Sequence, residues 1–230
     1  MMPLPKIVVP TFEVTLPETE EVIKCRPFLV KESKILTLAV EAEDKLGMLS
    51  ACKQIVGNCA EGVDVDTMPL HLLQWLFLKI KEKSTGEIQA FELICGGCNN
   101  TMNYEMSVND FELIGNTQEK NKKIFLNDSS GMVMKYPSAE IQVNFENMDD
   151  TDILVSCIDY IFDEEEMVKP DEDNKQEIVE FVDSLTLEKY GEAEEFLSAI
   201  PTIAHNIEYD CPKCSHHNQI IINGYEHFFV

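Results

Sequence analysis

The sequence predicts an α+β protein, because hydrophobic residues recur with helical spacing in some segments and alternate, as in strands, in others. The helical spacing is clearest in Leu70–Lys83, and the alternation is clearest from Phe12 to Leu16. Two Cys-x-x-Cys pairs, each flanked by extended runs, add a zinc-ribbon-like β module. With 230 residues, 44% of them hydrophobic, the chain is long enough to bury a substantial core.

Residues 1–87 are predicted to form a hairpin followed by a helical region. A turn at Pro17–Glu21 separates the two strands, and the helical period begins near Lys31. Gly47 is expected to separate this first helix from a second, and Leu70–Lys83 is the third. Gly86 is expected to end that helix.

The middle of the chain is predicted to be rich in strands. Residues 88–108 consist of two extended runs joined at the first cysteine pair, and they form the first half of the ribbon. Residues 109–146 form a β-rich insertion, whose extended runs are Ile124–Leu126, Met132–Tyr136 and Ile141–Phe145.

Residues 147–201 form an acidic region that we expect to be helical. From Asp149 to Glu195 the chain has 18 acids and three lysines, yet its apolar residues keep helical spacing. This stripe is expected to include Cys157, Ile158 and Ile161, and Asn174 with Glu177 resembles a capping box. Residues 202–230 are the second half of the ribbon, with a terminal hairpin at Asn223-Gly224.

The two cysteine pairs, Cys95 with Cys98 and Cys211 with Cys214, predict a structural zinc site. Two thiolates separated by two residues can bind one ion, and two such knuckles complete a tetrahedron. The pairs are 112 residues apart, so the ribbon would enclose a large insertion. Four thiolates leave no open coordination position, and we therefore expect one structural zinc per chain and no catalysis by the metal.

Other assignments of these residues stay open. His216 or His217 follows the second pair closely and could replace one cysteine as a ligand. A thiol–disulfide oxidoreductase is the enzymatic alternative, but its first cysteine begins a helix, whereas here a strand is predicted to follow. The remaining thiols lie on apolar stripes and are expected in the core: Cys25, Cys52, Cys59 and Cys157.

The charge of the chain limits the classes of partner. The net charge is −24, and Arg26 is the only arginine among 18 basic residues, so binding to nucleic acid or to an anionic membrane surface is not expected. No secretory signal or membrane-spanning segment is recognised, which predicts a soluble protein in a reducing compartment. No phosphate loop, dinucleotide fingerprint or nucleophile elbow occurs, and an enzyme is not expected.

Several short blocks resemble one protein family in their order along the chain. They are Leu16-Pro17, Arg26-Pro27-Phe28-Leu29-Val30-Lys31-Glu32, Lys83-Ser84-Thr85-Gly86-Glu87, Lys135-Tyr136-Pro137, Phe181-Val182-Asp183-Ser184-Leu185-Thr186, Pro201, the second cysteine pair and Phe228-Phe229. With these blocks the sequence is similar to the baseplate hub subunits and hub assembly proteins of T-even-type phages, the myoviruses with contractile tails.

This resemblance implies a non-enzymatic virion protein of the tail baseplate that is assembled in the host cytoplasm. Its partners would be other hub and tail proteins, in a homo- or hetero-oligomer. Phe228 and Phe229 are candidate partner anchors, because buried aromatic side chains often dominate the energy of an interface. Arg26 is a further candidate, although a carboxylate of its own chain is its favoured partner. The alternative function is an acidic zinc-ribbon adaptor or regulator that binds a host or viral protein.

Overall fold

The structure is a computed structural model that describes residues 8–42, 44–86, 88–115 and 121–223. The chain divides into two compact units. The first takes its described residues from the ranges 1–65, 71–113 and 203–230, and the second takes them from 66–70 and 114–202. Both units combine helices with antiparallel sheets, which confirms the predicted α+β class.

The described secondary structure consists of eleven strands, seven α-helices and two short 3-10 turns. In chain order the strands are β1 (Phe12–Thr15), β2 (Val22–Cys25), β3 (Ile88–Ile94), β4 (Thr101–Ser107), β5 (Glu112–Ile114), β6 (Asn121–Phe125), β7 (Gly131–Lys135), β8 (Ile158–Phe162), β9 (Met167–Val168), β10 (Thr202–Asp210) and β11 (His217–Asn223). The helices are α1 (Val30–Ala42), α2 (Lys45–Cys59), α3 (Leu70–Thr85), α4 (Ala139–Val143), α5 (Asp150–Ser156), α6 (Lys175–Asp183) and α7 (Leu187–Ser198). The 3-10 turns are Val108–Asp110 and Phe145–Asn147.

The first unit begins with the predicted hairpin and the three predicted helices. Strands β1 and β2 pair in antiparallel register, with Phe12 opposite Cys25. Gly47, however, does not separate α1 from α2, because the Asp44 carboxylate accepts the Gly47 N–H at 2.8 Å and starts α2 before it. The predicted stripes of α2 and α3 are buried in the core: Leu49, Cys52, Ile55, Val56, Cys59, Leu73, Leu76, Phe77 and Ile80.

Two further hairpins of the first unit carry the cysteine pairs. Strands β3 and β4 pair antiparallel over their full length, from Ile88 opposite Ser107 to Ile94 opposite Thr101. Strands β10 and β11 pair antiparallel from Ala204 opposite Asn223 to Asp210 opposite His217, and β5 lies on the other side of β10 to complete a three-stranded sheet. The second strand predicted after Asn223-Gly224 lies outside the described residues.

The second unit is a four-stranded antiparallel sheet with helices on one face. Its strand order is β6-β7-β8-β9, and α5, α6 and α7 contribute side chains to the same apolar cluster as the sheet. The buried members of this cluster are Ile124, Met132, Met134, Tyr136, Leu154, Val155, Cys157, Ile158, Ile178, Val182, Ala193 and Phe196. The rings of Tyr136 and Phe196 stack with their centroids 5.4 Å apart.

The structure corrects three details of the prediction for this unit. Ile158 and Ile161 lie on a strand, β8, because the β-branched and aromatic run to Phe162 pairs with β7. The segment 141–145, predicted as a strand, belongs to α4 and the 3-10 turn after it. Asn174 forms no capping box, because its side-chain oxygen accepts the Asp171 N–H at 2.9 Å instead of an N–H of α6.

Among the described residues, no helix has both the length and the apolar composition needed to cross a bilayer.

Candidate metal centre

Each cysteine pair lies in a six-residue loop between two antiparallel strands. Residues 95–100 connect β3 with β4, and residues 211–216 connect β10 with β11. Neither pair begins a helix, so neither has the helix amino terminus that lowers the thiol pKa in thiol–disulfide oxidoreductases. This position is the one predicted from the extended runs on both sides of each pair.

The first loop folds as a tight knuckle. The Asn99 N–H donates to the Cys95 carbonyl at 2.9 Å, and the Cys95 N–H donates to the Asn100 carbonyl at 3.0 Å. Asn99 has a φ of 53°, a left-handed conformation that asparagine adopts more readily than most residues. The chain therefore turns immediately after Cys98, and the loop returns to β4.

The second loop repeats this backbone pattern. The Ser215 N–H donates to the Cys211 carbonyl at 2.8 Å, the Cys211 N–H donates to the His216 carbonyl at 2.9 Å, and Ser215 has a φ of 58°. Serine rarely adopts a left-handed backbone conformation. The hydrogen bonds of the loop, and not a preference of serine, therefore hold this turn. The two knuckles are thus equivalent in length, hydrogen bonding and backbone conformation.

The two knuckles bring all four cysteine sulfurs together. The four Sγ atoms lie within 4.8 Å of one another, and the Cys95–Cys214 and Cys98–Cys211 sulfur pairs are both 3.7 Å apart. Sulfurs at the corners of a tetrahedron around zinc, with Zn–S bonds of about 2.3 Å, are about 3.8 Å apart. A disulfide requires about 2.05 Å. The four thiols therefore have the spacing of a tetrahedral ligand set.

The environment of Cys95 favours its thiolate. Burial opposes ionisation, but the N–H groups of Gly97 and Cys98, the Asn218 amide and the Cys211 thiol all donate to its sulfur and lower the pKa of Cys95 from 9.0 to about 6. The Gly97 N–H lies 3.3 Å from this sulfur. A metal ligand must be deprotonated, so these donors prepare Cys95 for metal binding.

The neighbouring thiols make ionisation of Cys214 unfavourable. An N–H from His216 favours its thiolate, but contact with the other three sulfurs, and burial, raise the pKa of Cys214 from 9.0 to about 12. Several negative sulfurs cannot share this space without a positive charge among them. The donor set, all sulfur and all within tetrahedral spacing, is that of a soft divalent cation such as Zn²⁺.

Asn218 connects the two knuckles, a role that no sequence pattern indicated. Its side-chain oxygen accepts the Gly96 N–H at 2.9 Å, and its amide nitrogen donates to the His216 carbonyl at 2.9 Å and to the Cys95 sulfur at 3.6 Å. The residue is buried in the first unit. One amide side chain therefore bonds to both loops and to a metal-ligand candidate.

The two histidines after Cys214 are not among the clustered ligand atoms of the described residues. His216 lies against the first knuckle, where a Cβ on Gly97 would approach the His216 Cγ to 2.8 Å. The Nδ1 atom of His217 lies 2.9 Å from an Asp210 carboxylate oxygen on the exposed side of the ribbon. His216 explains why position 97 is a glycine.

Arg26 bonds within its own chain. Its guanidinium contacts the Glu32 carboxylate at 2.9 Å and donates to the Pro27 carbonyl at 3.0 Å. The Glu32 side chain is fully buried and also accepts the Leu29 N–H at 2.8 Å. Burial raises the pKa of Glu32, but the bonds from Arg26, Leu29 and Lys31 outweigh it and lower the pKa below 4.5. The sequence did not identify Glu32 as the partner of Arg26.

The other predicted residues have simpler positions. The four cysteines outside the cluster are buried, as expected for core thiols: Cys25, Cys52, Cys59 and Cys157. Burial raises the pKa of the Cys25 and Cys157 thiols to about 11, which makes both poor nucleophiles. Phe228 and Phe229 lie outside the described residues, and their role as partner anchors stays a prediction.

Comparison with known proteins identifies the family. A sequence-family model described as T4 bacteriophage base plate protein matches residues 9–230. No curated protein and no solved structure gives a significant match to the chain. The matched region contains both cysteine pairs and nearly the whole chain, and it confirms the resemblance seen in the sequence. The chain therefore belongs to the T4 bacteriophage base plate protein family.

Proposed function

We propose that this base plate protein is a structural or assembly subunit of the baseplate hub in a contractile-tailed bacteriophage. The observation that carries the proposal is the family match over residues 9–230, since it covers both units of the chain. The blocks that resemble hub subunits, such as Arg26–Glu32 and Lys135–Pro137, support the hub over other parts of the base plate.

In this proposal the four clustered cysteines hold one structural zinc ion per chain. Segments 88–108 and 202–230 are the two halves of a zinc ribbon, and the acidic region 147–201 and the insertion 109–146 lie between them in sequence. Zinc supplies a positive charge among four thiolates and crosslinks two cysteine pairs that have 112 residues between them. Such a site contributes on the order of 10 kcal/mol of apparent folding free energy.

The partners proposed are other hub and tail proteins, in a homo- or hetero-oligomer, with assembly in the host cytoplasm. The net charge of −24 favours positively charged protein surfaces over nucleic acid or anionic lipid. Phe228 and Phe229 are proposed to contact these partners. Arg26 has a smaller part in this proposal, because its guanidinium already bonds to Glu32.

Infection with a phage that lacks the protein tests the hub assignment. We expect unassembled hubs and no contractile tails, with assembly restored when the protein is supplied from a plasmid. Mass spectrometry of purified virions and of isolated hubs then gives the copy number. Infectious, contractile tails formed without the protein would contradict a hub role. Its absence from both particles would favour either the acidic zinc-ribbon adaptor or a transient assembly factor.

Elemental analysis of the purified protein tests the zinc site separately. We expect one zinc per chain in the unaltered protein and less than about one tenth of that after Cys95→Ser with Cys211→Ser, which removes a ligand from each knuckle. Cys52→Ser is the matched control, because Cys52 is buried outside the cluster. Equal zinc content in the double variant and the control would reject the site.

A further inference from the structure

The sheet of the second unit has two different faces. Ile124, Met132 and Ile161 lie opposite one another on three strands and face the apolar cluster that the sheet shares with the helices. The alternate residues point the opposite way, because neighbouring side chains on a strand alternate between faces. The pairing places three of them in one row, with Lys123 opposite Val133 and Val133 opposite Tyr160.

A second row on this outer face is aromatic. Phe125 and Phe162 lie on either side of Gly131, and their ring centroids are 6.0 Å apart at an interplanar angle of 88°. A Cβ at Gly131 would approach the Phe162 Cζ to 2.7 Å, so the glycine allows the ring to lie over β7. The Tyr160 ring lies 6.2 Å from Phe162 and extends the cluster.

This cluster remains accessible to solvent. Phe125 is 49% exposed, and Met167, the partner of Phe162 on β9, is 60% exposed. The Lys123 ammonium lies 4.7 Å from the centroid of the Phe125 ring and 4.1 Å from that of Phe162. The two rings therefore already attract a cation of their own chain.

An acidic loop follows the end of this aromatic row. The loop between β8 and β9 consists of Asp163, Glu164, Glu165 and Glu166, all exposed. The Asp163 carboxylate accepts the Glu165 and Glu166 N–H groups at 2.9 and 2.8 Å, which uses one oxygen within the loop. The three glutamates after Asp163 extend the negative charge beside Phe162 and Met167.

We propose that this aromatic–acidic surface, formed by Phe125, Tyr160, Phe162, Met167, Glu164 and Glu165, binds a positively charged segment of another base plate protein. An apolar side chain of the partner packs on the aromatic rings, and its lysines or arginines pair with the glutamates. The inference deepens the proposed hub function and depends on it, because it names the chemistry of the partner.

Charge complementarity selects this occupant. The four carboxylates of the loop 163–166 outnumber the single ammonium of Lys123 on the rings, so the surface has a net negative charge. A second copy of the chain would bring another net charge of −24 to it, which like-charge repulsion disfavours. An anionic membrane or nucleic acid is repelled for the same reason. The acidic loop attracts a basic segment as it approaches. The aromatic rings stabilise the complex once it has formed, since aromatic anchors dominate the binding energy of many interfaces.

Site-specific photo-crosslinking in infected cells tests the surface. The probe is p-benzoyl-phenylalanine in place of Phe125, and the control places it at Leu187, which is 91% exposed on α7 of the same unit. We expect position 125, and not position 187, to give a crosslink to a lysine- or arginine-rich segment of another base plate protein. A crosslink to a second copy or to an acidic segment would overturn the inference.

A charge reversal in the acidic loop gives a second test, which uses the same crosslinking probe at position 125. We expect Glu164→Lys with Glu165→Lys to lower the yield of the position-125 crosslink about tenfold, with unchanged thermal unfolding. Glu177→Lys with Glu180→Lys, exposed on α6, makes the same change in net charge and should leave the yield unchanged. Equal yields from the two variants would reject the acidic contribution.

Retention in isolated hubs separates this inference from the hub assignment. If the protein is present in hubs but gives no crosslink from position 125, the aromatic–acidic surface is wrong and the hub function stands. If hubs and contractile tails form in infections that lack the protein, the proposed function fails and the inference fails with it.

Discussion

The two units bring distant residues together by different means. The ribbon of the first unit gathers four sulfurs through two tight loops, backbone hydrogen bonds and one buried amide. The second unit joins its sheet to its helices through a continuous apolar cluster that contains no charged residue. The sulfur cluster has negative charge to neutralise, and the apolar cluster has none, so we expect only the first to depend on a metal ion.

Loss of the metal is the largest effect that this comparison predicts. Cys95→Ser with Cys211→Ser should remove on the order of 10 kcal/mol of apparent folding free energy from the ribbon and leave the second unit folded. Hydrogen exchange checks this: amides of β3, β4, β10 and β11 should lose protection, while those of β7 keep it. Cys52→Ser provides the control. Loss of protection in β7 as well would show that the two units do not differ in this way.

A substitution in the apolar cluster should destabilise the second unit and leave the metal site of the first unit intact. Phe196 is buried and stacks on Tyr136, so Phe196→Ala should lower the free energy of unfolding of the second unit by about 3–5 kcal/mol. Zinc content should not change. Leu187→Ala on the same helix is the control and should alter stability by less than about 0.5 kcal/mol, because Leu187 is exposed. Denaturation with urea measures both, and equal effects would contradict the assignment of the core.

Arg26 tests a polar contact of the first unit that lies outside the ribbon. Arg26→Ala leaves the buried Glu32 carboxylate without its main partner and should cost about 3 kcal/mol of folding stability. Lys24→Ala breaks an exposed pair with Glu61 and should cost less than about 1 kcal/mol. Failure of hub assembly with unchanged melting would instead assign Arg26 to a partner.

The same contact predicts a pH dependence. The Glu32 pKa is lower in the folded protein than its usual 4.5, so its contribution is complete above that value and is lost as the pH falls through the folded pKa. The unaltered protein should therefore lose more stability than Arg26→Ala between pH 5 and lower pH. Urea titrations at several pH values check this difference, and parallel curves would contradict it.

Asn218 tests how much the ribbon depends on hydrogen bonds to the backbone and to the Cys95 sulfur, as well as on the thiols themselves. Asn218→Ala leaves the Gly96 N–H and the His216 carbonyl without this partner and should cost about 1–3 kcal/mol. Zinc affinity should fall by about 10–100-fold. Asn206→Ala, exposed on β10, is the control. Competition with a chromogenic chelator measures affinity, and equal affinities would show that the thiols alone set the site.

The smallest predicted effect on stability is the difference between alanine substitutions at two neighbouring glycines of the first knuckle. Gly97→Ala would place a Cβ 2.8 Å from the His216 ring and should cost about 1–3 kcal/mol. Gly96→Ala meets its nearest atom, the Asn218 oxygen, only at 3.8 Å and should change stability by less than about 0.5 kcal/mol. Thermal unfolding of both zinc-loaded variants tests whether the two knuckles pack as closely as described.

Features that depend on a local sequence pattern were predicted correctly. The predictions failed where a contact with a distant segment of the chain determines the structure. The strands around both cysteine pairs and the stripes of α2 and α3 followed from spacing alone. Ile158 and Ile161 fit a helical stripe equally well, and pairing with β7 made their segment a strand. Asn218 and Glu32 were missed because a polar residue in a sequence does not show whether it will be buried beside a donor or an acceptor.

By itself, the sequence determined the four thiols available as ligands, the two-residue spacing that lets each pair form a knuckle, and the acidic charge that disfavours anionic partners. Residue types and spacing are local properties, and net charge is a sum over residues. None of them depends on contacts between distant parts of the chain. Only the tertiary structure decided that Cys95 meets Cys214, that Asn218 bonds to both loops, and that Phe125 and Phe162 share one exposed face. Each of these depends on strand register and on segments far apart in the chain, which residue type alone does not specify.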